Sequence, residues 1–265
     1  MRKLGFQIGA ILIVVIAIKW PWEKSLQTSY EQLKLGGATL SVELRSKLSQ
    51  NLAVALLSGF RGIVADFVWL GAHGSWEEEK WYRMKEEIEL AVVLQPHSIP
   101  FWDIGAWHMA WNASHGENVN PKYPSDAYRI KMQREWIRAG KMFLEESIKN
   151  NPDNSDLYFQ LGWLIYQKLE DPLGAVPYFI KSTSYPDAPP YVSRMVGHMY
   201  EKGGKLQEAY QWWKRLWAQN HKKTPGQLWY KIAQWGHEAE VKLNIPTTER
   251  VFPSNPKSIR MKSLE

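Results

Sequence analysis

A spacing of 34 residues between prolines that follow amphipathic segments is the feature that most constrains the fold of this chain. Pro152 and Pro186 are 34 residues apart, and the segments before them are 136–149 and 174–184. Gly162 and Gly197 recur with a spacing of 35 residues. Self-similarity at a fixed period of roughly 20–50 residues is typical of repeat architectures, in which one supersecondary unit stacks on the next. The sequence therefore predicts a stack of helical units.

About four such units can be aligned, and no segment shows the sustained apolar/polar alternation of a strand. We therefore predict an all-α fold. Each unit is a pair of helices whose apolar faces become buried only when neighbouring units stack. The predicted repeat domain spans 65–243, with units at 65–96 (second helix 81–94), 98–152, 155–187 and 189–221, and a capping helix at 224–243. Residues 244–265 are polar and proline-containing, and we expect an extended C-terminal tail.

The second unit is too long for the period. Gly105 and Gly162 are 57 residues apart, one period plus 23, so the unit contains an insertion. Residues 112–131 contain Gly116 and the pairs Asn120-Pro121 and Tyr123-Pro124, which are typical of turns. The sequence therefore predicts an inserted loop at 112–131 between the two helices of this unit.

The residues that recur resemble the tetratricopeptide-repeat (TPR) family. In the third unit the large aromatic, Leu, Gly, aromatic, small, aromatic and Pro positions of the family fall, in that order, at Tyr158, Leu161, Gly162, Ile165, Gly174, Tyr178 and Pro186. The resemblance covers roughly 65–243 and is closest in the last two units. It implies a TPR-like helical-hairpin solenoid, with a concave groove that binds peptides or helices of other proteins.

Three short segments also resemble a group of bacterial membrane-anchored TPR proteins. They are Gly59-Phe60-Arg61-Gly62, Gln95-Pro96-His97 and His108-Met109-Ala110-Trp111-Asn112. This resemblance implies a membrane-anchored protein and carries no activity with it.

The N-terminus contains an apolar run that begins at Leu4 and ends at Ile18. The run is shorter than the ~20 residues that span a bilayer, and Trp20 and Trp22 at the headgroup level would extend it. We predict an uncleaved transmembrane anchor at 1–22. The alternative is a cleaved signal peptide, but the small-residue cleavage pattern is missing after the apolar run.

The cations Arg2 and Lys3 before the apolar run favour a cytoplasmic N-terminus. We therefore expect a single-pass protein of the inner membrane, with the bulk of the chain on the periplasmic side. Residues 23–64 are predicted as a helical linker, with helices at 25–35 and 41–57.

The composition excludes several classes of site. The chain contains no cysteine, which rules out disulfides, thiolate zinc sites, iron–sulfur clusters and covalent c-type haem. Its 33 basic and 27 acidic residues give a formal charge of +6 without a long Lys/Arg run, so we predict no nucleic-acid partner. We predict no cofactor and no bound metal.

The TPR resemblance implies that fixed positions on the first helix of each unit line the groove. In this sequence those positions are strongly aromatic, which suits protein recognition because tryptophan buries a large area at a small cost in rotamer entropy. The alternative is that the rings pack between helices. The predicted partner-binding residues are Trp69, His73, Trp76, Trp102, Met109, Phe159, Trp163, Tyr166, Arg194 and His198; Ala106 and Glu201 complete the rows.

Other motifs carry less chemistry. His108 and Asn112 lie four residues apart on one helical face, and we expect them to pair with each other rather than bind a metal. Gly203-Gly204-Lys205 lacks the spacing and the hydroxyl residue of a phosphate-binding loop, and we interpret it as the turn within a repeat.

These patterns predict a non-catalytic, membrane-anchored scaffold or adaptor that binds other proteins. A permanent accessory or assembly subunit of a larger membrane complex is the main alternative. An enzyme with a site in 112–131, or a small-ligand binder, is a weaker alternative. No nucleophile–base pair or metal cluster is evident in the sequence.

Overall fold

The computed structural model describes residues 59–220 and 227–255. This part of the chain is all-helical and contains no strand, which confirms the predicted fold class for these residues. Consecutive helices pack as antiparallel hairpins around one hydrophobic core that extends from Ala65 to Phe252. The α-helices are α1 (Arg61–Glu77), α2 (Trp81–Leu94), α3 (Ile99–Trp107), α4 (Ser114–Asn118), α5 (Asp126–Asn150), α6 (Ser155–Lys168), α7 (Pro172–Thr183), α8 (Pro190–Lys202), α9 (Leu206–Asn220) and α10 (Gln227–Lys242).

Two short helices complete the list: a π-helix (His108–Ala113) and a 3₁₀-helix (Thr247–Glu249). The π-helix joins α3 to α4 without a break, because His108, Ala113 and Ser114 all keep right-handed helical backbone angles. Residues 99–118 therefore form one helical rod. Its partner is α5, the longest helix in the described part of the chain, with 25 residues.

Side-chain caps fix where several helices begin. The Ser125 hydroxyl accepts the Tyr128 amide N–H at the start of α5, and the Asn154 side chain accepts the Leu157 N–H at 3.0 Å at the start of α6. Asp171 accepts the Gly174 N–H at 2.7 Å, with Pro172 at the first position of α7. Each cap satisfies one of the amide groups that a helix leaves unpaired at its N-terminus.

A left-handed residue terminates the first helix in each of two successive hairpins. Glu170 has φ +54° after α6, and Gly204 has φ +73° after α8, 34 residues later. The chain then reverses through a hydrogen bond from Lys205 N–H to the Tyr200 carbonyl at 2.8 Å. Glycine adopts this conformation without steric cost, so the Gly203-Gly204 pair forms a helix-terminating turn.

Three glycines mark the closest approach within three hairpins. A Cβ on Gly105 would lie 2.9 Å from the Phe143 ring, one on Gly162 2.9 Å from the Phe179 ring, and one on Gly197 2.2 Å from the Trp213 ring. The glycine of each first helix therefore makes room for a large aromatic side chain of the second helix. The same contact recurs in α3–α5, α6–α7 and α8–α9.

The predicted loop at 112–131 is wrong in its extent. Residues 112–118 and 126–131 are helical, and only 119–125 connect them. The insertion lengthens both helices of the hairpin. Gly116 lies within α4 and does not end it. The Trp81 indole packs where a side chain at this position would be, since a Cβ on Gly116 would lie 2.6 Å from Trp81 Cζ2. The connection is held by a hydrogen bond from the Tyr123 hydroxyl to the buried Glu117 carboxylate.

The predicted extended tail is wrong for 244–255, which fold back onto α9 and α10. Phe252 is buried, and its ring fills the space beside Gly236, where a Cβ would lie 2.2 Å from Phe252 Cζ. The buried Glu240 carboxylate accepts the amide N–H groups of Val251 at 2.6 Å and Phe252 at 3.2 Å. Two backbone donors and one aromatic ring thus dock the segment.

The predicted anchor at 1–22 and most of the predicted linker at 23–64 lie outside the described residues. Within 59–220 and 227–255, no helix combines the length and the apolar character needed to cross a membrane.

Candidate functional site: an aromatic cleft between α3 and α6

An open cleft of about 370 Å³ separates α3 from α6. We call it the aromatic cleft, because two tryptophans and a phenylalanine are among its six lining residues. The α3 wall carries one carboxylate and the α6 wall carries one amide. The lining residues are Asp103, Ile104 and Trp107 from α3, and Phe159, Gln160 and Trp163 from α6.

The packing of α3 against α5 determines which side of α3 faces the cleft. Gly140 of α5 approaches α3 closely: a Cβ on Gly140 would lie 2.8 Å from Ala110 Cβ and 3.0 Å from the Ala106 carbonyl oxygen. Ala106 and Ala110 are therefore buried between the two helices. The side of α3 that carries Asp103 and Trp107, one helical turn apart, is left facing α6.

Trp107 and Trp111 continue this face into the π-helix. Their rings are stacked, with centroids 4.4 Å apart and an interplanar angle of 6°. Trp107 remains 45% exposed, which is unusual for a side chain that buries so much apolar area when it finds a partner. Trp111 is partly buried and packs against the core, so the stacking holds the exposed Trp107 ring in place.

The α6 wall consists of an aromatic row. The Trp163 ring lies 6.2 Å from Phe159 and 5.8 Å from Tyr166, and Tyr191 of α8 meets the Phe159 ring edge-on at 5.4 Å. Phe159, Trp163 and Tyr166 are partly buried, whereas Tyr191 is exposed. Contacts between neighbouring rings therefore hold the α6 wall together.

Charges of opposite sign mark the two ends of the cleft. Asp103 lies near the N-terminus of α3, and burial, together with the nearby Asp156, raises the pKa of its carboxyl group. At the other end the Lys168 ammonium lies 5.2 Å from the centre of the Trp111 ring, and burial lowers its pKa. Among the described residues no opposite charge contributes to the pKa shift of Asp103 or of Lys168.

The predicted groove residues of α1 pack against α3 and do not line the cleft. Trp69 stacks on Phe101 with centroids 4.6 Å apart, and Trp76 lies 5.2 Å from the ring of His108. His73 is exposed, stacks on Trp76, and has Nε2 3.5 Å from the Glu77 carboxylate. These rings join the first hairpin to the second.

The predicted placement of Trp102 and Met109 on a groove surface is wrong. Trp102 is 4% exposed and Met109 is fully buried. The Trp102 indole N–H donates to the Pro96 carbonyl at 2.8 Å, and its ring packs on Phe143. The close contact of α3 with α5 turns these positions, and Ala106, into the core.

Of the predicted α8 residues, Arg194 is partly buried and His198 belongs to a packed cluster. His198 Nδ1 lies 3.2 Å from Glu201 Oε2, and its ring lies edge-on to Trp213 and to Trp235 of α10. Glu201 also accepts the Trp213 indole N–H at 3.1 Å. Burial opposes ionisation of Glu201, but hydrogen bonds from His198 and Trp213 outweigh it, so the pKa of Glu201 is lowered. We call His198, Glu201, Trp213 and Trp235 the closed cluster.

His108 and Asn112 pair as predicted. The Asn112 amide nitrogen lies 2.9 Å from His108 Nδ1, so the amide donates to an unprotonated ring nitrogen. Burial, with a smaller contribution from His73, lowers the pKa of His108. The pair stabilises the π-helix.

Phe159, Trp163 and Tyr166 lie on the cleft wall or beside it, and their role in partner binding stays a prediction. The sequence interpretation missed Asp103, Trp107 and Trp111. Their spacing of four residues, on one helical face, was the available signal. The TPR register instead predicts that Trp102, Ala106 and Met109 of the same helix line the groove.

No protein-family model matches the chain, and a search of curated proteins finds no match.

Proposed function

We propose that this chain is a membrane-anchored, non-catalytic scaffold or adaptor, built from TPR-like repeats, whose aromatic cleft binds an apolar helix or Pro-rich segment of another protein. The observation that carries this proposal is the exposed Trp107, which stacks on Trp111 and faces Phe159 and Trp163 across an open cleft. Exposed tryptophans in a concave, preformed site are the residues that most often dominate protein binding.

The recurring geometry supports the repeat part of the proposal. The glycine–aromatic contact occurs in three hairpins, and the glycines of α6 and α8 are 35 residues apart. The left-handed residues that end α6 and α8 are 34 residues apart. A helix-pair repeat close to this length is what the TPR resemblance implies.

The charges of the cleft indicate the chemistry of the partner segment. An apolar centre would cover the tryptophan rings, and a Lys or Arg side chain would neutralise Asp103. Burying the carboxylate with a cation avoids the cost of leaving a charge unpaired in a dehydrated site. A carboxylate of the partner would meet Lys168 at the opposite end.

The anchor follows from the sequence, in which the run from Leu4 to Ile18 would hold the repeats at the inner membrane, on the periplasmic side. The partner is therefore expected to be a membrane-associated or periplasmic protein.

The test is co-purification of the full-length, C-terminally tagged chain in mild detergent, with the partners quantified by mass spectrometry. We expect W107A/W163A to lose at least about 90% of the bound partner, because tryptophan hot spots each contribute ~2 kcal/mol or more. M142A is the matched control, since Met142 is 60% exposed on α5 and does not line the cleft. Retention of the partner by W107A/W163A would contradict the proposal.

The stoichiometry in the same experiment distinguishes an adaptor that binds its partners transiently from a permanent subunit of a larger membrane complex. A fixed set of membrane proteins near unit ratio identifies a permanent subunit, and variable substoichiometric partners identify an adaptor.

A further inference from the structure

One face of α1 carries an apolar stripe that no described residue covers. Ile63 is 51% exposed, Phe67 68% and Leu70 63%. Their spacing places them on one side of the helix, opposite Ala65 and Ala72, which are buried. Three large apolar side chains at i, i+4 and i+7 in the first described helix are typical of a helix face that packs against another helix.

The chain that leads into α1 has a matching stripe. In the sequence, residues 41–57 carry Leu44, Leu48, Leu52 and Leu56 at intervals of four, and the opposite side of a helix with this sequence would carry Glu43, Lys47 and Gln50. The segment thus has the pattern of an amphipathic helix with one leucine face.

The backbone just before α1 has the geometry of a tight reversal. Gly59 has φ +76°, the left-handed conformation with which a glycine ends a preceding helix. Phe60 is already the N-cap of α1, and its carbonyl accepts the Val64 N–H at 2.9 Å. A connection this short makes two helices antiparallel neighbours.

The two stripes also agree in register about Gly59. Leu56 lies three residues before Gly59 and Ile63 four after; Leu52 lies seven before and Phe67 eight after; Leu48 and Leu70 are each eleven away. One further step pairs Leu44 with Gly74, beside which no heavy atom of the described residues lies within 4 Å of where a Cβ would be. In an antiparallel pair of helices each leucine would therefore face an apolar residue or free space.

We propose that residues 41–57 form a helix that packs antiparallel on the Ile63–Phe67–Leu70 face of α1 and covers the membrane-proximal end of the helical array. This segment would link the predicted anchor to the array as a rigid element. The inference is independent of what the aromatic cleft binds.

The absence of cysteine from the chain allows a direct test, because every disulfide must come from introduced thiols. The variant L52C/F67C is made in the full-length chain and oxidised mildly in isolated membranes. The matched control is Q50C/F67C, because Gln50 lies on the opposite side of a helix. Phe67 is largely exposed among the described residues, so its replacement leaves the core intact, which far-UV circular dichroism checks.

We expect the intramolecular disulfide, identified by peptide mass spectrometry, to form about tenfold more in L52C/F67C than in Q50C/F67C, because a disulfide requires Cα atoms within ~7 Å. Equal yields in the two variants would overturn the proposal. A disulfide-linked dimer from F67C alone would overturn it in favour of a second copy of the chain on this face.

A second measurement uses single-thiol variants and does not depend on disulfide geometry. The thiol of F67C should react slowly with a water-soluble maleimide, and the added substitution L52D should raise the rate by about tenfold by removing the apolar cover, whereas Q50D should not. Fast labelling without L52D would overturn the proposal. Slow labelling that only a lipid-soluble maleimide overcomes, with or without L52D, would also overturn it and assign the face to the membrane surface.

Discussion

The aromatic cleft and the closed cluster use the same residue type in opposite ways. In the cleft, Trp107 stacks on the partly buried Trp111 and stays exposed to solvent. In the closed cluster, Trp213 is fully buried under Gly197, and its indole N–H and the His198 ring are bound by Glu201. Trp235 of α10 fills the space beside His198.

The difference comes from what packs against α8 on one side of the comparison and against α3 on the other. The ring of Trp235 in α10 packs on His198 of α8, and Phe252 packs against Gly236 of α10. Nothing in the described part of the chain fills the cleft between α3 and α6 in the same way. Tryptophan side chains therefore stabilise the array at its C-terminal end, whereas Trp107 stays exposed in its middle.

The largest expected effect is the difference in stability between W213A and W163A. Removing the fully buried Trp213 leaves a cavity and an unpaired acceptor on Glu201, so we expect the free energy of unfolding to fall by ~3–5 kcal/mol. Trp163 is only partly buried, and W163A should cost about 1 kcal/mol or less. Urea unfolding followed by far-UV circular dichroism measures both. Equal losses would mean that Trp163 is a core residue and that the cleft is not an open site.

A smaller effect is expected from filling the glycine contact of the closed cluster. In G197A the new Cβ would lie 2.2 Å from the Trp213 ring, so we expect a loss of ~1–3 kcal/mol through overpacking. G71A is the control, because the nearest atom to a Cβ on Gly71 is a Glu87 carboxylate oxygen at 3.4 Å, and alanine there should stabilise α1 by ~0.5–1 kcal/mol. A stable G197A would show that Trp213 does not pack as described.

The smallest expected effect is the contribution of His108, beside the cleft, to the pH dependence of folding stability. Because the folded-state pKa of His108 is lowered by burial, the unfolded chain takes up the proton first as the pH falls. The contribution of His108 to stability is therefore complete above pH ~6.5 and declines as the pH falls below that value. We expect the urea midpoint of the wild type to fall more steeply between pH 7.5 and 5 than that of H108Q. A parallel decline in both proteins would contradict a buried, neutral His108.

Periodicity alone predicted the helix pairs well. The second helix of the first unit was expected at 81–94, where α2 is found, and the glycines used to align the units all lie at close helix contacts. The bounds of the helices and the positions of their close contacts depend on residues within one unit, so they can be predicted from the sequence of that unit.

Which side of α3 faces the core and which faces the cleft was not predictable in the same way. It depends on Gly140 of α5, which meets Ala106 and Ala110 from the other side of the connection at 119–125. The docking of the tail likewise depends on the fit of Phe252 to Gly236 and on the acceptor Glu240, three residues that no local pattern connects. Contacts between distant positions decided which predicted groove residues are buried.

The most direct test of the account is photo-crosslinking from two exposed aliphatic positions, one in each region. A benzophenone amino acid replaces Ile104, 42% exposed in the cleft, or Val241, 47% exposed on α10. After irradiation of living cells, the account predicts an adduct of defined mass from position 104 and none from position 241. An adduct from position 241 alone, or equal adducts from both, would contradict the claim that the aromatic cleft is the partner-binding surface.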